Sequence, residues 1–266
     1  MSAKHSLNHI EDFRAKIRSG GVCLGAGITF HDPAVTELIG DVGFDFVWID
    51  GEHGPMGLEA ALCHVMAARG TGAASLLRVR CCDPDVIKPF VDLAPAIILV
   101  PRVNTAEQAR VAVSACRYPP AGERGFGPRR SQQFGIQPAP DYLAKDPDTT
   151  MVMVQIEHEQ AVRNLDEILA VEGLAGVCVG PNDLSGSYGK LGQIDDPEVA
   201  GAIDAICAKT LAADKYLGVA TGYKPDTVDR WIARGFHWIS YGVDHIFMAR
   251  AAEALRNDFD EAVARR

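Results

Sequence analysis

The chain has 266 residues, 47% of them hydrophobic, and a formal net charge of -9 from 26 Lys and Arg against 35 Asp and Glu. This length and apolar content can bury a large core and exclude disorder as a description of the whole; they fit about two domains or one α/β barrel of roughly 250 residues. The negative balance, with no block of Lys or Arg, opposes attraction to phosphate backbones, so nucleic acid is not an expected partner.

The opening stretch MSAKHSLNHIEDFRAKIRSG lacks an apolar signal core, and no later run approaches the 18 or so apolar residues of a membrane span, so a soluble cytoplasmic protein is expected. Short apolar runs then follow at 21–25 (GVCLG), 44–50 (FDFVWID), 74–79 (ASLLRV) and 96–101 (AIILVP). Four more lie at 151–157 (MVMVQIE), 176–181 (GVCVGP), 216–221 (YLGVAT) and 237–242 (HWISYG). Between them run segments of helical character, among them PAVTELIGDV, GLEAALCHVMAA, TAEQARVAVSAC and PEVAGAIDAICAKTLAA. Strand followed by helix, repeated eight times without a Pro/Ser-rich linker, predicts a single-domain TIM (β/α)8 barrel. The one wide gap, 117–150, is rich in Pro, Gly and Arg and too long for a turn. It is expected to cover or shape a site at the barrel's working face, with Arg124, Arg129 and Arg130 as candidates for gripping an acidic substrate tail.

In such a barrel the chemistry lies at the C-terminal strand ends, and here those ends are polar. The second strand delivers Asp50, Glu52 and His53, the third Arg78, the fifth Gln155 and Glu157, and the sixth leads through VGPNDLSGS to Asp183. Taken singly, Glu157 could cap the next helix and Asp183 could hold a turn. Together at one barrel mouth, two carboxylates with no third protein ligand suit a hard divalent cation that keeps positions for water and substrate. Mg²⁺ or Mn²⁺ fits best, and Co²⁺ or Zn²⁺ is also compatible. Arg78 is placed either to bind a carboxylate or enolate oxygen or to form an internal ion pair. His53, three residues after Asp50, can form a base whose tautomer that carboxylate fixes.

Other features do not carry chemistry. GAGITF at 25–30 lacks the third glycine of a dinucleotide loop, and there is no Walker loop, G-x-S-x-G or H-E-x-x-H. Histidines 5, 9, 31, 64, 158, 237 and 245 show no ligand spacing and are expected to be surface or packing residues. Seven cysteines without C-x-x-C spacing argue for reduced thiols. No lysine ends an expected strand, where a Schiff-base lysine would stand, so a metal is expected to act as the electrophile.

Six segments in order, VWIDGEHGP, LLRV, VPRVNTAEQA, RYPPAGERGFGP, VQIE and VGPNDLS, resemble the HpcH/HpaI aldolase family of metal-dependent class II pyruvate aldolases, from about residue 20 to 256. The resemblance implies a metal held by Glu157 and Asp183, pyruvate chelated to it, and Arg78 at the developing enolate. It makes His53, held by Asp50, the base, and lines the pyruvate pocket with Gln155 and the backbone at Gly180 and Pro181. Asp92 falls where the family often has an aspartate reaching a neighbouring subunit's site. A homo-oligomer, a hexamer, is implied, with the last helix around DHIFMARAAEAL exchanged with a neighbour. The implied reaction cleaves 4-hydroxy-2-oxo acids to pyruvate and an aldehyde. Alternatives are an enzyme like citrate lyase or malyl-CoA lyase acting on CoA thioesters, or a non-catalytic metal-binding barrel. The sequence departs from the family pattern at Ala94-Pro95, commonly Gly-Ala, and at His158, commonly a small polar residue.

Overall fold

The computed structural model describes residues 7–224 and 227–266, so His5 and Lys4 lie outside the described residues. Eight parallel strands close into one barrel in sequence order: β1 (Cys23–Ile28), β2 (Phe46–Asp50), β3 (Ala74–Arg78), β4 (Ile97–Val100), β5 (Met151–Ile156), β6 (Leu174–Val179), β7 (Tyr216–Thr221) and β8 (Trp238–Val243). Helix α1 (Ile10–Arg18) precedes the barrel, and α2 (Ala34–Val42), α3 (Leu58–Thr71), α4 (Pro84–Val91) and α5 (Ala106–Cys116) follow β1 to β4. Short helices α6 (Ala139–Leu143) and α7 (Asp146–Thr149) lead into β5. The rest are α8 (Glu159–Arg163), α9 (Leu165–Leu169), α10 (Pro181–Ser187), α11 (Pro197–Ala212), α12 (Val228–Ala233) and α13 (Asp244–Ala264).

The core divides in two. Strand side chains that face outward, such as Val47, Ile49, Leu77 and Val154, pack under the helices, while those facing inward, such as Phe46, Trp48, Leu76, Met153 and Trp238, fill the barrel. Strand β1 begins and ends later than the sequence suggests, because its glycines read as a loop. Gly25 is needed there: a Cβ would stand 2.2 Å from the Phe46 ring, which fills the space instead. Helix α1 closes the N-terminal end, with Phe13 edge-on to Phe46 at 5.8 Å.

The 117–150 segment corrects one expectation. It follows α5 and precedes β5, so it lies at the N-terminal end of the barrel, away from the strand ends that carry Glu157 and Arg78 in the same chain. It is fastened there: the Arg130 guanidinium donates to Leu93 O at 2.7 Å, Arg117 donates to Thr150 O at 3.1 Å, and Arg124 lies on Tyr118 at 4.5 Å. Helix α13 is exposed along most of its length, and no described helix is long and apolar enough to cross a membrane.

Candidate active site

Parallel register places Asp50 opposite Arg78 at the ends of β2 and β3, so both side chains enter the barrel mouth at one level. Arg78 donates from Nε to Asp50 Oδ1 at 3.0 Å and from Nη2 to Oδ2 at 2.6 Å, a two-pronged pair. Its Nη1 lies 3.4 Å from Gln155 Oε1 and 2.9 Å from Glu52 Oε2, and its plane stands 5.0 Å from the Trp48 ring. Burial pulls the pKa of Arg78 down, but Asp50 and Glu52 outweigh it and the pKa is raised. The guanidinium is therefore fixed, buried and charged.

After Asp50 the chain turns sharply. Gly51 donates its N–H to Arg78 O at 2.9 Å, and a Cβ at that position would stand 2.7 Å from the same oxygen, so only glycine lets β2 leave the sheet here. Asp50 Oδ1 also accepts the backbone N–H groups of Glu52 (3.0 Å) and His53 (3.2 Å), bending the loop back toward the barrel. This corrects the expected base–orienter pair: Asp50 meets the His53 backbone but not its ring, because Arg78 takes both oxygens. The carboxylate beside the ring is Glu52, 3.9 Å from Nε2, and the imidazole itself is largely exposed.

Glu157 follows β5 and is 5% exposed. Its Oε1 accepts the backbone N–H of Arg102 at 2.7 Å, which Arg102 can present because it adopts a φ of 55°. Burial, aided by repulsion from Glu52 and Asp183, pushes the Glu157 carboxyl up to about 7. Burial also raises Glu52, whose Oε2 makes an ion pair with Arg78 but accepts no hydrogen bond. Asp183 stands in the first turn of α10, two residues after Pro181. A Cβ on Gly180 would fall 2.7 Å from both Gln155 Nε2 and Glu157 Oε2, so glycine keeps the space beside the carboxylate open.

Glu52, His53, Glu157 and Asp183, with Arg102, Asn104, His158 and Ser187, line one pocket of about 290 Å³. Among the described residues no three His, Cys, Asp or Glu side chains form a complete metal cage. The donor set is nonetheless of the kind a hard cation takes. Three carboxylates share one pocket, the most buried of them is held above its ordinary pKa by burial and by the other two, and Glu52 Oε2 accepts no hydrogen bond. Glu157 and Asp183 would bind it with positions left for water and substrate.

The remaining expected residues separate clearly. Asp92 lies just past α4 at the far end of the barrel, where Arg124 donates to its Oδ1 at 3.2 and 2.6 Å, and it does not approach this pocket in its own chain. His158 caps α8, its Nδ1 accepting the Gln160 N–H at 3.1 Å, and His64 is a core residue bonded to Thr36 at 2.8 Å. The backbone N–H of Arg102 escaped the sequence reading, since a left-handed arginine after VP has no side-chain signature.

Comparisons with known proteins point to one family. The family model described as HpcH/HpaI aldolase/citrate lyase matches residues 28–251. The chain is 37% identical over 247 residues to 4-hydroxy-2-oxo-heptane-1,7-dioate aldolase of Shigella sonnei (strain Ss046), covering 93% of this chain and 94% of that one. It is 36% identical over 249 residues to hydroxypyruvate/pyruvate aldolase of Deinococcus radiodurans, covering 94% and 90%. The crystal structure of an HpcH/HpaI aldolase from Desulfitobacterium hafniense DCB-2 superposes with a TM-score of 0.85 at 25% identity, covering 92% and 95%. A barrel of this topology, with acidic strand ends gathered beside a buried arginine and with these relatives along nearly its whole length, belongs to the HpcH/HpaI aldolase/citrate lyase family.

Proposed function

We propose that the chain is a metal-dependent class II aldolase that cleaves, or in reverse forms, 4-hydroxy-2-oxo acids, with pyruvate and an aldehyde as the small-molecule partners. The observation that carries this reading is the pocket in which Glu157, Asp183 and Glu52 meet beside the fixed Arg78 guanidinium and the exposed His53 imidazole. A divalent cation on Glu157 and Asp183, with Mg²⁺ or Mn²⁺ best matched to carboxylate donors, would supply positive charge for the carboxylate and keto oxygens of a 2-oxo acid and for an enolate.

The chain's own groups do the rest. Gln155, Gly180 and Pro181 shape the floor on which the 2-oxo acid lies. Arg78, pinned by Asp50 and backed by Trp48, would share Nη1, which meets Glu52 and Gln155, with the oxygen that gains negative charge as the C3–C4 bond breaks. His53 takes the proton of the C4 hydroxyl, the C4–O bond becomes the aldehyde carbonyl, and the bonding pair passes to the enolate, which is then protonated to pyruvate. Asp50 serves as the anchor of Arg78 and of the His53 backbone.

We further infer a homo-oligomer, a hexamer in keeping with the resemblance. Met248, Leu255, Phe259 and Val263 are more than half exposed on α13 and spaced to share one face of the helix. Packing on a neighbouring subunit would cover them, and Asp92, remote from its own chain's site and bound by Arg124, would lie toward a neighbour's. Seven cysteines, none in a disulfide, fit a reducing cytoplasm.

The test is cleavage of a panel of 4-hydroxy-2-oxo acids by the purified protein with Mg²⁺ or Mn²⁺ and no CoA, read as pyruvate released. Release that a chelator abolishes is expected. Cleavage of CoA thioesters alone would move the enzyme to the citrate-lyase side of the family.

A further inference from the structure

A second cavity opens beside the carboxylate pocket and shares His53 with it. It measures about 490 Å³ and lies between the C-terminal ends of β7, β8 and β1. Its origin is a run of small residues. Deeper in the barrel, the space left by Gly25 and Gly218 is filled by Phe46 and Trp238, whose rings stand 2.2 and 1.8 Å from where a Cβ would be. Further along, Gly27 on β1, Ala220 on β7 and Ser240 on β8 are again small, and the nearest neighbours of a Cβ on Gly27 would be Val243 at 3.2 Å and Gly242 O at 3.5 Å.

The walls of this chamber have a definite chemistry. Arg78 is the one Lys or Arg among its described lining residues, and its Nε and Nη2 are spent on Asp50 while Nη1 faces Glu52. Counted with those two carboxylates, the local charge is not positive. Arg102 lines the carboxylate pocket and not the chamber, and Arg250, at the chamber's rim, is held on Tyr223. Of the three arginines that the sequence offered for an acidic substrate tail, Arg124 and Arg130 are tied to Asp92 and Leu93, and Arg129 lies exposed beside them, all at the opposite end of this chain. The chamber instead offers Trp48, Ala220 and Val243 with the hydroxyls of Thr29, Thr221 and Ser240.

We propose that this chamber receives an uncharged carbon group carried on one of the two carbons that the aldol bond joins. On the aldolase reading, on which this rests, the 2-oxo acid end is fixed at Glu157 and Asp183 and the C4 hydroxyl at His53. His53 stands at the boundary of both cavities, so a substituent beside the reacting bond passes from one into the other. A carboxylate carried into the chamber would lose hydration without gaining an unpaired Lys or Arg among the described residues that line it. The enzyme therefore selects neutral aldehydes, or 2-oxo acids longer than pyruvate, over acceptors ending in a carboxylate.

The test uses the full-length, metal-loaded enzyme in the synthetic direction. With pyruvate as donor, kcat/KM is compared for butanal and 4-oxobutanoate, which share a four-carbon chain and differ in the terminal charge; butanal is expected to lead by about tenfold or more. Ala220→Leu and, separately, Ser240→Leu fill the chamber. Each should lower the ratio of butanal to glycolaldehyde by about tenfold if the acceptor occupies it, or the ratio of 2-oxobutanoate to pyruvate if the donor does. A preference for 4-oxobutanoate in the unmodified enzyme would overturn the proposal, as would size ratios that neither substitution moves. The first comparison needs no variant to fold. Absence of any aldol product from any donor–acceptor pair would refute the aldolase reading itself, and is thereby distinguished from failure of the chamber assignment.

Discussion

Asp50 and Arg78 end adjacent parallel strands in register, and the carboxylate of one accepts two N–H bonds from the guanidinium of the other at 3.0 and 2.6 Å. Both side chains are about nine-tenths buried, so each charge depends on the other. Removing one partner of such a pair costs about 3 kcal/mol or more, because the survivor is left charged and dry. Asp50→Ala should therefore lower unfolding stability by that order and mobilise Arg78. Arg78→Lys, which keeps the charge but not the planar fork, should lose about a hundredfold in turnover. Chemical denaturation and steady-state kinetics on the two variants check this, and near-normal turnover of Arg78→Lys would restrict Arg78 to a structural ion pair.

The buried Glu157 makes the metal-free protein pH-dependent. Its carboxyl is raised from 4.5 to about 7, so between these values the folded state holds a proton that the unfolded chain has lost. By linkage, that contribution to stability is present at low pH and is lost as pH rises through this window. Unfolding midpoints of the apoprotein should fall from pH 5 to pH 8 more steeply than those of Glu157→Gln. Metal affinity should rise over the same range, since a cation competes with that proton. Identical pH slopes in the two proteins would contradict the assignment of the proton to Glu157.

The exposed half of α13 should be dispensable for the barrel and indispensable for assembly. Residues beyond Arg250 are exposed throughout, whereas Asp244 accepts the N–H groups of Thr29 and Phe30 at 2.7 and 2.9 Å and belongs to the barrel. Deleting residues 251–266 should leave the far-UV spectrum of a folded α/β barrel while reducing the mass measured by light scattering. An unchanged mass would place the interface elsewhere.

Ala94 adopts a φ of 56°, in the left-handed region that glycine occupies freely, at the position where the family pattern commonly has glycine. The loop before β4 thus keeps a glycine-like path with an alanine in it. Ala94→Gly should raise stability by about 0.5 kcal/mol, the relief of left-handed strain slightly exceeding the added freedom of the unfolded chain. Thermal unfolding of the two proteins measures it directly.

Much of the architecture was legible because apolar β-branched runs alternate with amphipathic helices, and because polar residues at the ends of buried strands have few other reasons to be there. Asp50, His53, Arg78, Gln155, Glu157 and Asp183 all stand at the strand-end mouth for that reason. Pairing was not legible. Asp50 and His53 are close in sequence, yet Arg78, 28 positions away, takes the carboxylate through strand register. The 117–150 segment shows a second limit of local reading: its length and arginines invite a lid, but only its place after a helix and before a strand reveals which end of the barrel it reaches. From sequence, strand β1 is set two to three residues too early because of its glycines, which make sense only beside the rings that fill their space.

In the proposed mechanism enolate stabilisation and proton transfer are carried by different groups of one strand-end site, and His53→Ala tests this division most directly. Cleavage of a 4-hydroxy-2-oxo acid requires a base for the C4 hydroxyl, whereas decarboxylation of oxaloacetate reaches the same pyruvate enolate by losing CO₂ and requires none. Both rates are measured on the metal-loaded variant and the unmodified enzyme. The expected result is a loss of roughly 10²- to 10⁴-fold in aldol cleavage, the usual worth of a positioned general base, with a far smaller loss in decarboxylation. Equal losses in the two reactions would contradict the division of labour and make His53 a residue that shapes the pocket; no loss in either would remove it from the mechanism.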